Sequence, residues 1–308
     1  MSFPSTVSDQ SSIIIDIHSG YWHGDENDRK ACIERVGKAF YEGVGFVQLA
    51  SPYSPKLYAR LYGILDALFT LDDAVLMRYY HREWVLKRGY CPLYCETAAG
   101  STIPDIKRLF DIDSAMHRGE PEAEWFWIPD ELVPGFRATI LEYRNSVNDD
   151  ANAILEMAAI YEGLPRNAYT QHRSTSNLFT RLIDYPALDT LTGIPEGAVR
   201  NREHIDMAAI ALVSSASAEG LKAYDVSRGV WQSIHMTPDI ITANAGETLQ
   251  YMSKGKVQAT RHGVDNDPDT SRGRRVAVNF AWFDPDVELS MSVRQYFEMR
   301  TRGLRGQS

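Results

Sequence analysis

The stretch His204-Ile205-Asp206-Met207-Ala208-Ala209-Ile210-Ala211-Leu212-Val213 determines the architecture and the chemistry that we expect of this chain. It opens with a His-x-Asp pair and continues as an apolar segment with the composition of a strand. Residues i and i+2 of a strand point to the same face, with backbones about 6–7 Å apart. Both side chains of the pair could therefore bind one metal ion, each ligand atom roughly 2.1 Å from it. A second His from elsewhere would complete the 2-His-1-carboxylate set of non-haem Fe(II) enzymes.

A second pair, His23-Gly24-Asp25, shows that His-x-Asp alone is weak evidence. It lies in polar, Gly-containing sequence that is typical of a loop, where nothing fixes the two side chains on one face. We interpret this pair as a chance occurrence. The strand-like segment after His204 and the motifs downstream of it distinguish the first pair from the second.

The composition of the chain is that of an ordinary globular protein, with 44% hydrophobic and 24% charged residues among 308. A net charge of −9 disfavours nucleic acid or an anionic membrane as partner. No apolar run reaches the roughly 18 residues of a membrane span, and residues 1–6 lack the features of a signal peptide. We therefore expect a cytoplasmic protein. Cys32, Cys91 and Cys95 form no even framework, so we expect them to be reduced thiols.

The pattern of apolar residues changes at about residue 170. Before it, apolar residues at helical spacing predict helices, for example from Pro55 to Leu71 and from Val133 to Tyr161. After it, short apolar segments separated by turn signals indicate all-β structure closed into a barrel or jelly roll. The eight predicted strands are Leu178–Tyr185, His204–Val213, Gly220–Tyr224, Trp231–Ile234, Ile240–Ala243, Thr248–Tyr251, Gln258–Val264 and Arg275–Phe283.

This change divides the chain into two predicted regions. Residues 1–165 form a mostly helical region that packs on the core and contributes substrate loops. Residues 166–308 form the β core and end in a helix from Ser292 to Gly303. The segment 88–130 has many Gly and Pro residues and is too long to lack structure, so we expect short elements and part of a substrate pocket there. Arg88, Tyr90 and Trp282 are candidates to line that pocket.

Several short motifs of the second half resemble, in their order, those of one enzyme family. They are Ile183-Asp184-Tyr185-Pro186, His204-x-Asp206, Gly220-Leu221 with Trp231, Asn244-x-Gly246-Glu247-x-Leu249-Gln250, Gly255 with His262-Gly263-Val264, and Arg275-x-Ala277 with Phe280. The family is that of the isopenicillin N synthase-like Fe(II)/2-oxoglutarate-dependent dioxygenases. The resemblance covers about residues 178–283, with looser agreement from Ile13 to Leu109.

The resemblance implies a mainly β fold with flanking helices, whose core is a double-stranded β-helix (jelly roll). His204, Asp206 and His262 would bind Fe(II), and Arg275 and Tyr185 would bind 2-oxoglutarate. 2-Oxoglutarate would take two of the three remaining metal positions and O₂ the last, with release of succinate and CO₂. The expected activity is hydroxylation or desaturation of a small molecule, plausibly in specialised metabolism such as antibiotic biosynthesis.

Arg275 is favoured over Arg274 because it alternates with Ala277, Asn279 and Ala281, a face that is small and polar enough for a ligand. A guanidinium can bind a carboxylate through two hydrogen bonds. Arg274 instead alternates with larger apolar residues.

Two departures from the family pattern leave alternatives open. Ala277 replaces a Ser and Ile183 replaces an Asn, and each loses a hydrogen-bonding group near the cosubstrate. One alternative is therefore an oxidase of the isopenicillin N synthase type, which does not use 2-oxoglutarate. Another is a metal-free protein that binds a small ligand. His235 is the competitor of His262 as third metal ligand. The substrate and the oligomeric state cannot be read from the sequence.

Overall fold

The computed structural model describes residues 14–50, 55–82, 88–98, 101–171, 178–215, 220–235, 240–266 and 273–281. The helices among them are α1 (Glu26–Gly37), α2 (Pro55–Phe69), α3 (Asp73–Leu76), α4 (Ser114–Arg118), α5 (Phe136–Tyr161) and α6 (Glu247–Met252). None of these helices is both long enough and apolar enough to cross a membrane. The predicted helix from Ser292 to Gly303 lies outside the described residues.

Local sequence explains where the two main helices of the first region begin. Asp25 caps α1, because its Oδ1 accepts hydrogen bonds from the backbone N–H groups of Asn27 and Asp28 at 2.8 and 3.0 Å. Helix α5 begins three residues later than predicted, after Gly135, whose φ of +74° is in the left-handed region. Its 26 residues bury an apolar stripe that includes Phe136, Ile140 and Ile154.

Twelve strands in the described part of the chain form two sheets. They are β1 (Ile14–Asp16), β2 (Phe46–Ala50), β3 (Gly89–Cys91), β4 (Arg108–Ile112), β5 (Leu178–Tyr185), β6 (Asn201–His204), β7 (Ile210–Ser215), β8 (Leu221–Asp225), β9 (Val230–Ser233), β10 (Ile240–Ala245), β11 (His262–Val264) and β12 (Arg274–Ala281). The larger sheet has the order β1-β2-β10-β7-β12-β5-β4-β3, and the smaller has the order β6-β11-β8-β9.

Alternate residues of the larger sheet contribute to two separate apolar clusters. Leu182 of β5 and Leu212 of β7 pack with helices α1, α2 and α5 in the larger cluster. Ile183, Tyr185 and Ala211, which alternate with them, pack with Leu221 of β8 and Val264 of β11 in the second cluster. The larger sheet therefore has helices on one face and the smaller sheet on the other. The predicted combination of β-sheets with flanking helices is confirmed.

Three of the predicted strands are wrong in whole or in part. The segment 204–213 is not one strand, because β6 ends at His204 in the smaller sheet and β7 begins at Ile210 in the larger one. Thr248–Tyr251 lies in helix α6, whose first residues donate hydrogen bonds to the backbone of residues 206–209. The segment Gln258–Val264 forms a strand only from His262.

The strands of the first region are part of the larger sheet. Strand β2 pairs with β10, and β4 pairs with β5. Strands from residues 1–165 therefore flank the sheet formed by the second region on both sides. The division at residue 165, which falls shortly after α5, remains a prediction.

The expectation of reduced thiols is wrong for two of the three cysteines. Cys91 and Cys95 form a disulfide, with their Cα atoms 5.9 Å apart, and Cys32 is a free, buried thiol. Strand β3 ends at Cys91 and a turn follows, closed by a hydrogen bond from Cys95 N to Pro92 O at 3.1 Å. This turn brings Cys95 back to Cys91, which the separation of four residues in the sequence does not reveal.

Candidate metal centre

The two histidines of the predicted site lie side by side on neighbouring strands of the smaller sheet. His204 is the last residue of β6 and His262 the first residue of β11, and the two are directly paired in the antiparallel register. Their ring centroids are 4.3 Å apart. Asp206 lies in the bend between β6 and β7. The structure therefore brings the three predicted ligands together, although the His-x-Asp pair does not lie on one strand.

The distances between the ligand atoms suit a single cation. Oδ1 of Asp206 lies 3.6 Å from Nε2 of His204, and Oδ2 lies 3.6 Å from Nε2 of His262. Two atoms about 2.1 Å from one metal ion can be at most about 4.2 Å apart. The three residues are the one group of potential metal ligands found in the described ranges.

The backbone sets the tautomer of both imidazoles. Nδ1 of His204 lies 2.8 Å from the carbonyl oxygen of Arg202, and Nδ1 of His262 lies 2.9 Å from that of Thr260. A carbonyl oxygen only accepts hydrogen bonds, so each Nδ1 carries the proton and donates it. Each Nε2 then presents its lone pair to the centre of the site, as in metal-binding histidines.

The charges within the site match the needs of a divalent metal. Burial acts to raise the pKa of Asp206, but the charges of His262 and His204 hold this pKa well below its usual range. Burial lowers the pKa of His262 and outweighs the attraction of Asp206. For His204, burial acts in the same direction, but the hydrogen bond and charge of Asp206 outweigh it and raise the pKa. An ionised carboxylate with neutral His262 is a state that can bind metal at neutral pH.

A chain of buried ion pairs, which the sequence did not predict, lies beside the site. Its links are Asp105–Lys107 at 3.0 Å, Lys107–Glu96 at 2.6 Å, Glu96–Arg181 at 3.2 Å and Arg181–Asp111 at 2.8 Å. Lys107 also donates to the side chain of Asn201 at 2.6 Å, three residues before His204. Burial opposes ionisation of Glu96, but Lys107 and Arg181 lower its pKa to about 2. The segment 88–130 therefore places charged groups close to the metal ligands.

The two predicted cosubstrate residues differ in how far the structure describes them. Tyr185 is buried in the cluster between the sheets, with Val276 and Val278 of β12. Arg274 pairs with Tyr185 in the register, and Arg275 pairs with Asp184. The side chains of both arginines lie outside the described residues. The role of Arg275 therefore remains a prediction. Its neighbour Arg274 occupies the position opposite Tyr185 in the register.

Two candidates for the substrate pocket make contacts elsewhere. Arg88 pairs with Asp113 at 2.6 Å, and its guanidinium lies over the ring of Phe126. Tyr90 is buried in the cluster that faces the helices. Trp282 lies outside the described residues.

Three other histidines, His18, His23 and His235, have different surroundings. In the second His-x-Asp pair, the carboxylate of Asp25 caps α1, and the ring of His23 packs edge-on against His18 with centroids 4.5 Å apart. The backbone carbonyl of His235 accepts a hydrogen bond from Gln48. None of these three histidines belongs to the group of potential ligands found in the described residues.

Sequence reasoning also missed the role of Asn244 on β10. Its Nδ2 donates to Oδ2 of Asp206 at 2.7 Å, and its side chain is 1% exposed. The motif that begins at Asn244 was noted only as part of the family pattern. An Asn near the end of a strand, two residues before a Gly, was the available signal.

Comparison with known proteins agrees with this geometry. The model of the 2OG-Fe(II) oxygenase superfamily matches residues 177–284. Validamycin A dioxygenase of Streptomyces hygroscopicus subsp. limoneus is 25% identical over 292 residues, which cover 90% of this chain and 78% of that protein. A 2-oxoglutarate-dependent dioxygenase of Monascus ruber is 25% identical over 76% of this chain and 74% of its own length.

A solved structure shows the same fold. A full-length Neurospora crassa protein in complex with alpha-KG and thymine superposes with a TM-score of 0.75 at 23% identity, covering 91% of this chain and 88% of that chain. The matched family region, residues 177–284, contains all three metal ligands and both predicted cosubstrate residues. Residues 177–284 match the 2OG-Fe(II) oxygenase superfamily, and together with the named relatives this match indicates an Fe(II)- and 2-oxoglutarate-dependent dioxygenase, an oxidoreductase.

Proposed function

We propose that this enzyme hydroxylates or desaturates a small molecule of specialised metabolism, with release of succinate and CO₂. The observation that carries the proposal is the convergence of His204, Asp206 and His262 at distances that suit one metal ion. The name of one relative, a validamycin A dioxygenase, and the complex of the solved Neurospora crassa structure with thymine support a small-molecule substrate. The comparisons do not favour the oxidase alternative.

The three ligands would hold Fe(II) on one side and leave adjacent positions open. Bound Fe(II) would supply the activation of O₂. The protein orients both imidazoles through backbone carbonyls and keeps Asp206 ionised. Asp206 and His262 are less than 10% exposed, so water has little access to them. This burial strengthens each electrostatic interaction within the site.

We propose that the two sheets form a double-stranded β-helix with the metal between them. In support, the cluster between the sheets contains residues of β5, β7, β8, β11 and β12. His204 and His262 lie in the smaller sheet, and Asp206 lies at the crossing to the larger one. A closed core of this kind leaves few exposed strand edges near the reacting groups.

For the distal carboxylate of 2-oxoglutarate, Arg275 and Tyr185 are the two contacts predicted from the sequence, although the register pairs Tyr185 with position 274 rather than 275. The buried position of Tyr185 between the sheets supports its part of this assignment. For the arginine, Val276 and Val278 contribute to the same cluster as Tyr185, and they alternate with position 275. Arg274, opposite Tyr185, is therefore the competing anchor, and an experiment has to include both.

We propose that the segment between β3 and β4 contributes to the substrate pocket. Cys91 packs in the cluster between the sheets, with Cys95 against it. Glu96 and Lys107 lie beside Asn201, close to the first metal ligand. A polar substrate would meet a buried network of alternating charges there rather than an apolar wall.

The test is an anaerobic titration of the purified protein with Fe(II) and then with 2-oxoglutarate, followed by measurement of succinate and product against 2-oxoglutarate concentration. We expect no product without 2-oxoglutarate. Full product formation in its absence would refute the assignment of this site to a dioxygenase and favour the oxidase.

Two variants distinguish the possible anchors in the same assay. Loss of one partner of a buried charge pair costs about 3–5 kcal/mol, and each 1.4 kcal/mol is a factor of ten. We expect Arg275→Leu to weaken 2-oxoglutarate binding by roughly two to three decades. Arg274→Leu is the matched control on the same strand. If Arg274→Leu alone has this effect, the assignment of Arg275 is wrong.

A further inference from the structure

The amide of Asn244 has one partner and one unused oxygen. Its Nδ2 donates to Oδ2 of Asp206 at 2.7 Å. An ionised carboxylate only accepts hydrogen bonds, so the amide nitrogen, and not the oxygen, faces Asp206. Oδ1 of Asn244 is buried and has no hydrogen-bond partner in the part of the chain that the structure describes.

The residues after Asn244 hold the backbone that carries Asp206. The turn at 246–248 donates to four successive carbonyl groups of residues 206–209. These bonds are Glu247 N to Asp206 O at 2.8 Å, Thr248 Oγ1 to Met207 O at 2.6 Å, Thr248 N to Ala208 O at 3.3 Å and Gly246 N to Ala209 O at 3.0 Å. One short segment therefore fixes both the backbone and the side chain of the metal-binding carboxylate.

The unused oxygen of Asn244 is unfavourable for the fold, because a buried polar atom without a partner is destabilising. An apolar residue here would remove that oxygen, but it would also take the donor away from the buried, ionised Asp206. Asn244 is 1% exposed, so water does not compensate for the unused oxygen on the surface. The contribution of Asn244 is its hydrogen bond to Asp206.

We propose that Asn244 is a positioning residue that orients the Asp206 carboxylate for the metal. By binding Oδ2, Asn244 restricts rotation of the carboxylate and leaves Oδ1, on the side of His204, as the freer metal-binding oxygen. The proposal rests on the proposed function, because it requires a metal at the site. Replacement of a residue that holds a metal ligand in this way typically weakens metal binding by about 10- to 100-fold.

The test is binding of Mn(II) to the metal-free full-length protein, followed by the loss of the electron paramagnetic resonance signal of free Mn(II). This readout needs neither substrate nor turnover. We expect Asn244→Leu and Asn244→Ala to raise the Kd for Mn(II) by about 10- to 100-fold. Metal-free Asn244→Leu should melt at or below the melting temperature of the wild type, because removal of the unused oxygen offsets only part of the loss of the hydrogen bond to the ionised Asp206.

Thr242→Val is the matched control. Thr242 lies two residues earlier on the same face of β10 and is also 1% exposed. The Thr242→Val variant should have a Kd for Mn(II) within about twofold of the wild-type value. The proposal is overturned if the Asn244 variants bind Mn(II) as tightly as the wild type, or if Thr242→Val weakens binding equally. A wild-type chain that binds no Mn(II) would instead refute the metal site, and with it the proposed function.

Discussion

Asp150 is a buried carboxyl group on the long helix α5, distant in sequence from the metal ligands. It is 2% exposed, and its Oδ2 has no hydrogen-bond partner within the described ranges. Burial, assisted by the negative charge of Asp149, raises its pKa from 3.8 to about 7. The structure therefore predicts that ionisation of Asp150 destabilises the fold, and that Asp150→Asn removes this effect.

The size and sign of this effect on the free energy of unfolding follow from the pKa of Asp150 in the unfolded state, 3.8, and in the folded state, about 7. Below pH 3.8 the group is protonated in both the folded and the unfolded state, and the stability is unaffected. Between that pH and about 7 the unfolded state releases its proton first, so the free energy of unfolding falls as the pH rises. Above about pH 7 the loss is complete. The pKa of Asp150 is about three units higher in the folded state, and each unit corresponds to about 1.36 kcal/mol. The total loss in the free energy of unfolding is therefore about 4 kcal/mol.

The assay is urea unfolding of wild type and Asp150→Asn at pH 4.5 and pH 8.5. The stability of the variant relative to the wild type should increase by about 3 kcal/mol between these pH values. Asp149→Asn is the control and should show a much smaller change with pH, because Asp149 is exposed and its charge is the lesser of the two causes that raise the pKa of Asp150. A difference between wild type and Asp150→Asn that does not change with pH would refute the reasoning.

Other variants test the site and the turn that supports it. His262→Ala should abolish turnover and weaken Fe(II) binding without loss of circular dichroism, whereas His23→Ala should change neither; iron loss in His23→Ala with retention in His262→Ala would contradict the assignment. Gly246→Ala should destabilise the fold by about 1–3 kcal/mol in thermal unfolding, since a Cβ there would lie 2.2 Å from Ala208 O. It should also weaken Fe(II) binding, and a variant with unchanged stability and iron affinity would show that the turn can move freely.

Local pattern predicted the long elements because their apolar periodicity is strong. Helices α2 and α5 and strand β5 lie within a few residues of their predicted positions. The segment 204–213 could not be divided from its composition, because the residues that cross between the sheets, Met207 to Ala209, are as apolar as the strand that follows. The candidate metal ligands were predicted from their order along the chain rather than from local structure.

Helix α6 shows why local pattern is insufficient near the site. Its residues Thr248-Leu249-Gln250-Tyr251 alternate in polarity as a half-buried strand does. The backbone nevertheless turns into a helix after Gly246, because its N–H groups bond to the carbonyl groups of residues 206–209. The partners are about 40 residues away in sequence, as they are for Asn244 and Asp206. The hydrogen bond from Lys107 to Asn201 is non-local for the same reason.

The position of β2 at the side of β10 has a consequence for the synthesis of the chain. Ala50 pairs with Ile240, so β2 finds its antiparallel neighbour only about 190 residues after it has been made. At roughly 5–20 residues per second, translation of that interval takes about 10–40 seconds. During this time β1 and β2 can pair only with each other, and their open edge can bind other chains. We therefore expect the two earliest strands to keep an unpaired edge until the strand that carries Asn244 leaves the ribosome.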